Sequence, residues 1–130
     1  MPWSLHDLYS LLESQEDLTA SKENDTILIS NDDGIDAFVT VSGEQILVEA
    51  LLCPLSRVSD RATFNDLILR THKNMFPLTT IGITGIGTEE FYVAFGALSA
   101  ESGPDAILIE IGTLFLNIEG MLEFYQEYLG

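Results

Sequence analysis

The stretch from Asp105 to Leu129 constrains the fold of this chain more than any other. Polar or small residues recur there at Glu110, Thr113, Asn117, Gly120, Glu123 and Glu127. A spacing of three and four held over several turns predicts one long helix to about Leu129, because strands do not keep that period. Ala106 to Ile111 alone would also suit a buried strand, and the length of the pattern decides against it. Pro104 suits the first helical position and Asp105 the positive end of the helix dipole. The polar stripe is narrow. Ile107, Ile111, Leu114, Ile118, Met121 and Tyr125, with Tyr128 or Leu129, can cover a sheet. Leu108, Ile109, Phe115, Leu116, Leu122 and Phe124 widen the apolar arc beyond one packing face. Either the other helices cover that surplus or a second copy or partner does, and the second is the expectation; a self-complementary apolar patch most simply yields a twofold dimer. Leu108, Phe115, Leu116 and Leu122 are the candidate protein-interface residues.

Upstream, Ser4 followed by Asp7 resembles a capping box, and Leu5, Leu8 and Leu12 after Trp3 give a short amphipathic helix ending near Glu16. Asp17 to Asp25 reads as a polar lead into a strand over Thr26 to Ser30, stopped by Asn31-Asp-Asp-Gly34. Ala37 to Val41 and Glu44 to Cys53 read as strands joined at Ser42-Gly43. Pro54 ends the second, and Ser59 or Asp60 caps another helix whose inward stripe is Phe64, Leu67, Ile68, Thr71 and Met75, closed by Pro77. Thr79 to Ile86 and Phe91 to Leu98 form a further strand pair. The expected order is α-β-β-β-α-β-β-α in one α+β domain spanning residues 1 to 130, an antiparallel sheet with helices grouped on a face.

Charge limits the partners. The chain carries 21 Asp and Glu against 5 Lys and Arg, a net charge of −16, yet 46% of its residues are hydrophobic, so the acid sits on a foldable chain. Such a field repels phosphate, which argues against nucleic acid and anionic lipid as partners. Arg57, Arg61, Arg70 and Lys73 cluster in the short segment 57–76, where a helix whose exposed face pairs with carboxylates elsewhere in the fold is expected over an anion site. The amino terminus lacks the pattern of a secretory signal and no apolar run reaches the roughly 20 residues that span a bilayer, so a cytoplasmic location is expected. Cys53, lying between Leu52 and Pro54, reads as a small buried hydrophobe.

Catalytic and cofactor signatures are missing from the sequence. His6 and His72 fall on different helices without a second ligand at metal spacing. Glu89 and Glu90 are strand neighbours that point to opposite faces, unsuited to acid and base work. Gly82, Gly85 and Gly87 lack the spacing and following helix of a phosphate loop. Asp32, Asp33 and Asp36 invite a calcium reading, but aligning Gly34 with the loop glycine of an EF-hand puts Ile29 and Thr40 at its end positions, leaving at most a weak cation site. No catalytic residue and no cofactor is expected. The leading expectation is a non-enzymatic homodimer that binds a basic or amphipathic segment of another protein. The alternative is a small ligand- or metal-binding domain or enzyme with a pocket between sheet and helix, near Asp32 and Asp36.

The stretch Glu90-Phe-Tyr-Val-Ala-Phe-Gly-Ala-Leu-Ser99, with Ile109-Glu-Ile-Gly-Thr-Leu114, Asn117, Glu119 and the opening Trp3-Ser-Leu5, resembles the YjfI-like family of uncharacterised small bacterial proteins over essentially the whole chain. That resemblance implies a cytoplasmic adaptor or regulator, since members are often encoded beside a homologue of phage shock protein A, a membrane-stress protein. It assigns no functional residue. Size, acidity and element order are also similar to the class I type III secretion chaperones, which implies their fold and a dimer that binds segments of partners.

Overall fold

The computed structural model describes residues 2–129. Helix α1 (Leu5–Glu13) starts where the Ser4 hydroxyl accepts a hydrogen bond from the Asp7 amide at 3.1 Å, the expected cap. It ends three residues earlier than its sequence pattern suggested. A six-stranded sheet follows: β1 (Leu18–Glu23), β2 (Thr26–Asn31), β3 (Asp36–Ser42), β4 (Gln45–Pro54), then helix α2 (Arg61–Met75), β5 (Thr80–Ile86) and β6 (Glu89–Ser99). The order across the sheet is β1-β2-β3-β4-β6-β5 and every pairing is antiparallel. Helix α3 (Pro104–Phe124) and a short α4 (Gln126–Leu129) complete the chain.

The mixed α+β order holds, with one added strand: the polar lead from Asp17 to Asp25 contains β1, paired with β2 from Leu18↔Asn31 to Glu23↔Thr26. The two-residue turn between them is Asn24-Asp25, with Asn24 at φ 55, a left-handed value that Asn tolerates. The long terminal helix also stops sooner than expected. Tyr125 leaves helical geometry (φ −99, ψ 15) and its buried side chain anchors the break, donating or accepting a 2.8 Å hydrogen bond with Thr71 of α2.

All core-forming side chains of the sheet lie on one side. Ile27, Ile29, Ala37, Val39, Ile46, Val48, Ala50, Tyr92 and Ala94 pack with Leu8 and Leu12 of α1, Phe64 and Ile68 of α2, and Ile107, Ile111, Leu114, Ile118 and Met121 of α3. Period two along the strands and the three-four spacing along α3 thus meet in one apolar layer. The stripe expected on α2 is buried at Phe64 and Ile68, half-buried at Leu67 and Thr71, and exposed at Met75, where Phe76 takes the inward place at the helix end. Arg70 pairs with Asp66 one turn away on the same helix (Nε to Oδ2, 2.7 Å), not with a carboxylate elsewhere; both are exposed, so the contact adds little. Trp3 ties the amino terminus to the start of α3, its indole N–H donating to the Ser102 carbonyl at 2.6 Å.

A buried carboxyl interrupts the layer. Glu110 on α3 is 5% exposed, its Oε2 has no hydrogen-bond partner, and burial pushes its pKa up. A group protonated more readily in the fold than in the unfolded chain opposes folding above its unfolded pKa, and the penalty fades as pH falls through the folded value. Glu110→Met is therefore expected to raise stability by about 1–3 kcal/mol at pH 8, with the gain shrinking toward zero near pH 4. Urea denaturation of both proteins at several pH values checks this.

Candidate functional site

Asn31-Asp-Asp-Gly34 turns sharply between β2 and β3. The Asn31 side-chain oxygen accepts hydrogen bonds from the Asp33 and Ile35 amides at 3.1 and 2.8 Å, and Gly34 takes φ +81. This turn projects Asp32 and Asp33 beside the middle of α3. Together with Gln15, Asp17 and Leu18 at the junction of α1 and β1, they rim a cleft of about 280 Å³. Its floor is Leu108, Ile111, Gly112 and Phe115. One turn further along α3, Glu119 shares a hydrogen bond with the Asp33 carboxyl, and that bond, with the charge of Asp33, holds its pKa above the usual carboxylate range.

Two sets of sequence candidates therefore meet here: Leu108 and Phe115 from the helix, Asp32 and Asp33 from the turn. Asp36 stands apart on β3, accepting a 2.6 Å hydrogen bond from the Ser30 hydroxyl. Among the described residues no group of three His, Cys, Asp or Glu side chains could hold a metal ion. His72 is committed to the Ile68 carbonyl at 2.8 Å, and His6 is exposed on α1, far along the chain. Cys53 is buried, and that burial raises its thiol pKa, which keeps it a poor nucleophile.

The surplus apolar surface of α3 divides. Phe115 is 6% exposed and packs within its own chain, so the fold itself accounts for this ring. Leu108 is half-buried in the cleft floor. Leu116 at 69% and Ile109 at 61% are open to solvent, with Leu122 and Phe124 partly so. Ile109 and Leu116, seven residues apart, form an outward stripe of α3 that stands in solvent, flanked by Gly112 of the cleft floor and by Gly120, which is half-buried with the Phe76 ring against it. Leu122 lies apart from that stripe, lining a second cleft with Ile118, Phe38 and Leu51. Among the described residues no helix is long and apolar enough to cross a membrane.

Residues 2–129 match the model of a family described as an uncharacterised protein conserved in bacteria, DUF2170. The uncharacterised protein YjfI of Escherichia coli, in strains K12 and O157:H7, is 37% identical over 122 residues, which cover 93% of this chain and 90% of the relative. Among solved structures, the crystal structure of YbjN from E. coli, described as a candidate transcription regulator, superposes with a TM-score of 0.72 at 13% identity over 95% of this chain and 94% of that one. A chain of the HopA1–SchA chaperone–effector complex superposes with a TM-score of 0.59 at 16% identity, covering 94% of this chain and 99% of that one. At such identities these structures share the fold with this chain, and the chaperone-like α+β architecture is the one the element order implied.

Proposed function

Since the chain belongs to the DUF2170 family of uncharacterised bacterial proteins, and its site gathers apolar surface and acid in place of catalytic groups, we propose that it is a non-enzymatic, chaperone- or adaptor-like homodimer in the cytoplasm that binds a basic or amphipathic segment of another protein. The observation that carries this reading is the uncovered stripe of α3, where Ile109 and Leu116 stand in solvent on a chain of net charge −16. Acid on the surface keeps such a chain soluble and selects cationic partners, while Ile109 and Leu116 offer an apolar patch for a second copy. The chaperone–effector complex that includes a chain of this fold lends support to a protein as the occupant. A phage-shock-protein-A-like membrane-stress protein is a candidate partner on the strength of the sequence resemblance.

The test is Leu116→Glu. A twofold interface holds two copies of Leu116, each worth about 1.5–3 kcal/mol when buried, so the dimer dissociation constant should rise at least about a hundredfold. Sedimentation equilibrium measures this, with circular dichroism confirming an unchanged fold. Association equal to that of the parent protein would remove α3 from the interface.

A further inference from the structure

Among the described residues the core cluster joins the helices to one side of the sheet and leaves most of the other side bare. That bare side is not polar. Val93 is buried there outside the cluster that the helices share, and Phe38 and Leu51, at 37% and 39% exposed, stand beside half-buried Leu28, Leu47 and Phe95 and also line the cleft with Ile118 and Leu122 of α3. Phe95 lies across Gly82, whose Cβ, if present, would meet the ring at 3.2 Å. The middle of this surface carries one acid, with Asp36 on the same face of β3 two residues before Phe38. The strand register puts Glu49 directly between Phe38 of β3 and Phe95 of β6, with Leu47 and Leu51 two residues to either side on β4. Cross-strand neighbours are about 5 Å apart and same-face residues along a strand about 7 Å, so apolar side chains surround one carboxylate on all four sides.

We propose that this open sheet face, centred on Glu49, docks an extended segment of a partner protein that carries one Lys or Arg flanked by apolar side chains on the same face. The inference rests on the protein-binding reading and names the seat and the chemistry of the partner. The alternation of Leu47, Glu49 and Leu51 sets an apolar-charged-apolar period that an extended segment reproduces. A Lys or Arg stem lies along apolar surface while its head meets the carboxylate, and the rings of Phe38 and Phe95 attract a cation on their faces. A second copy is not the occupant. Two such faces brought together would bring two Glu49 carboxylates and no cation to one apolar surface. The cations of the chain lie elsewhere: Arg57, Arg61, Arg70 and Lys73 fall in or beside α2, and Lys22 packs over the Tyr9 ring on the helix-covered side.

The probe is a fluorescent peptide alternating Ile and Thr with one central Lys on the Ile face, compared with a twin carrying Glu there, both titrated against the whole chain by fluorescence anisotropy. The parent protein should bind the Lys peptide at least about tenfold tighter than its twin. Glu49→Gln should erase that preference. Leu51→Asp should abolish binding of the Lys peptide, whereas the Asp33→Asn, Glu119→Gln double variant should leave binding and preference intact. Circular dichroism and sedimentation confirm that each variant keeps its fold and association state. Failure of the Lys peptide to bind, or a preference that survives Glu49→Gln, overturns the proposal. So does a preference lost in the double variant, which would move the seat to the cleft beside α3 and leave the broader protein-binding reading standing. Absence of a dimer in sedimentation would count against that broader reading alone.

Discussion

Phe64→Ala is expected to lower the unfolding free energy by about 3–5 kcal/mol, the usual cost of emptying a large buried aromatic site. Phe64 is fully buried, where α2 meets both the sheet and the end of the chain. Its ring meets Tyr92 of β6 edge-on at 4.9 Å and Tyr125 edge-on at 5.4 Å, and stacks on Tyr128 of α4 at 5.0 Å. Three elements distant in sequence are thus held by one side chain. Total stability of a domain this size is about 5–15 kcal/mol, so the loss takes a large share of it. The urea midpoint reads the effect, and a shift worth under about 1 kcal/mol would mean that Phe64 is not the junction described.

The second large effect centres on Gly96. A Cβ there would land on the Glu110 carboxyl, with the carboxyl carbon 2.8 Å away. The glycine is required by that close approach of β6 to α3, since its backbone is not left-handed. Gly96→Ala alone should cost about 1–3 kcal/mol through overpacking. Truncating the obstacle removes the clash, so the double variant Gly96→Ala, Glu110→Ala should be more stable than the sum of its single changes by about 1–3 kcal/mol. Strict additivity in this double-mutant cycle would mean that the two residues do not press on each other.

Local chemistry made most of the fold legible. The Ser4 and Asp60 caps, the Asn31-to-Gly34 turn and the alternation through Ile46, Val48 and Ala50 each act over a few residues, and the structure follows them. The strand at Leu18–Glu23 was less visible because it is an edge strand: only Leu18 and Ala20 are even half-buried, and its register is supplied by β2. Asn24-Asp25 was the available sign, a two-residue turn between segments of matching length. The helix break at Tyr125 depends on contacts with Thr71 and Phe64, which no local pattern encodes.

The candidate site was legible in pieces. Periodicity identified α3 as too apolar for one face, but it could not say which side chains its own chain would claim. Phe115 and Leu116 are neighbours in sequence, yet one is inside and the other outside, a matter of about 100° of helix rotation against a sheet whose position is set by tertiary packing. Likewise, Asp33 and Glu119 come together only because the β2–β3 turn reaches α3. The apolar ring around Glu49 required the cross-strand register, which fixes neighbours that the sequence of one strand does not contain.

In the proposed function a second copy covers the apolar surface of α3 at Ile109 and Leu116. The mass of the unmodified protein, measured by multi-angle light scattering as it elutes from a sizing column, tests this most directly. The expected result is a single species of twice the 14.3 kDa chain mass, persisting on dilution to about micromolar concentration, the range of a specific interface. A species of 14.3 kDa at every loading, with the fold intact, would contradict it.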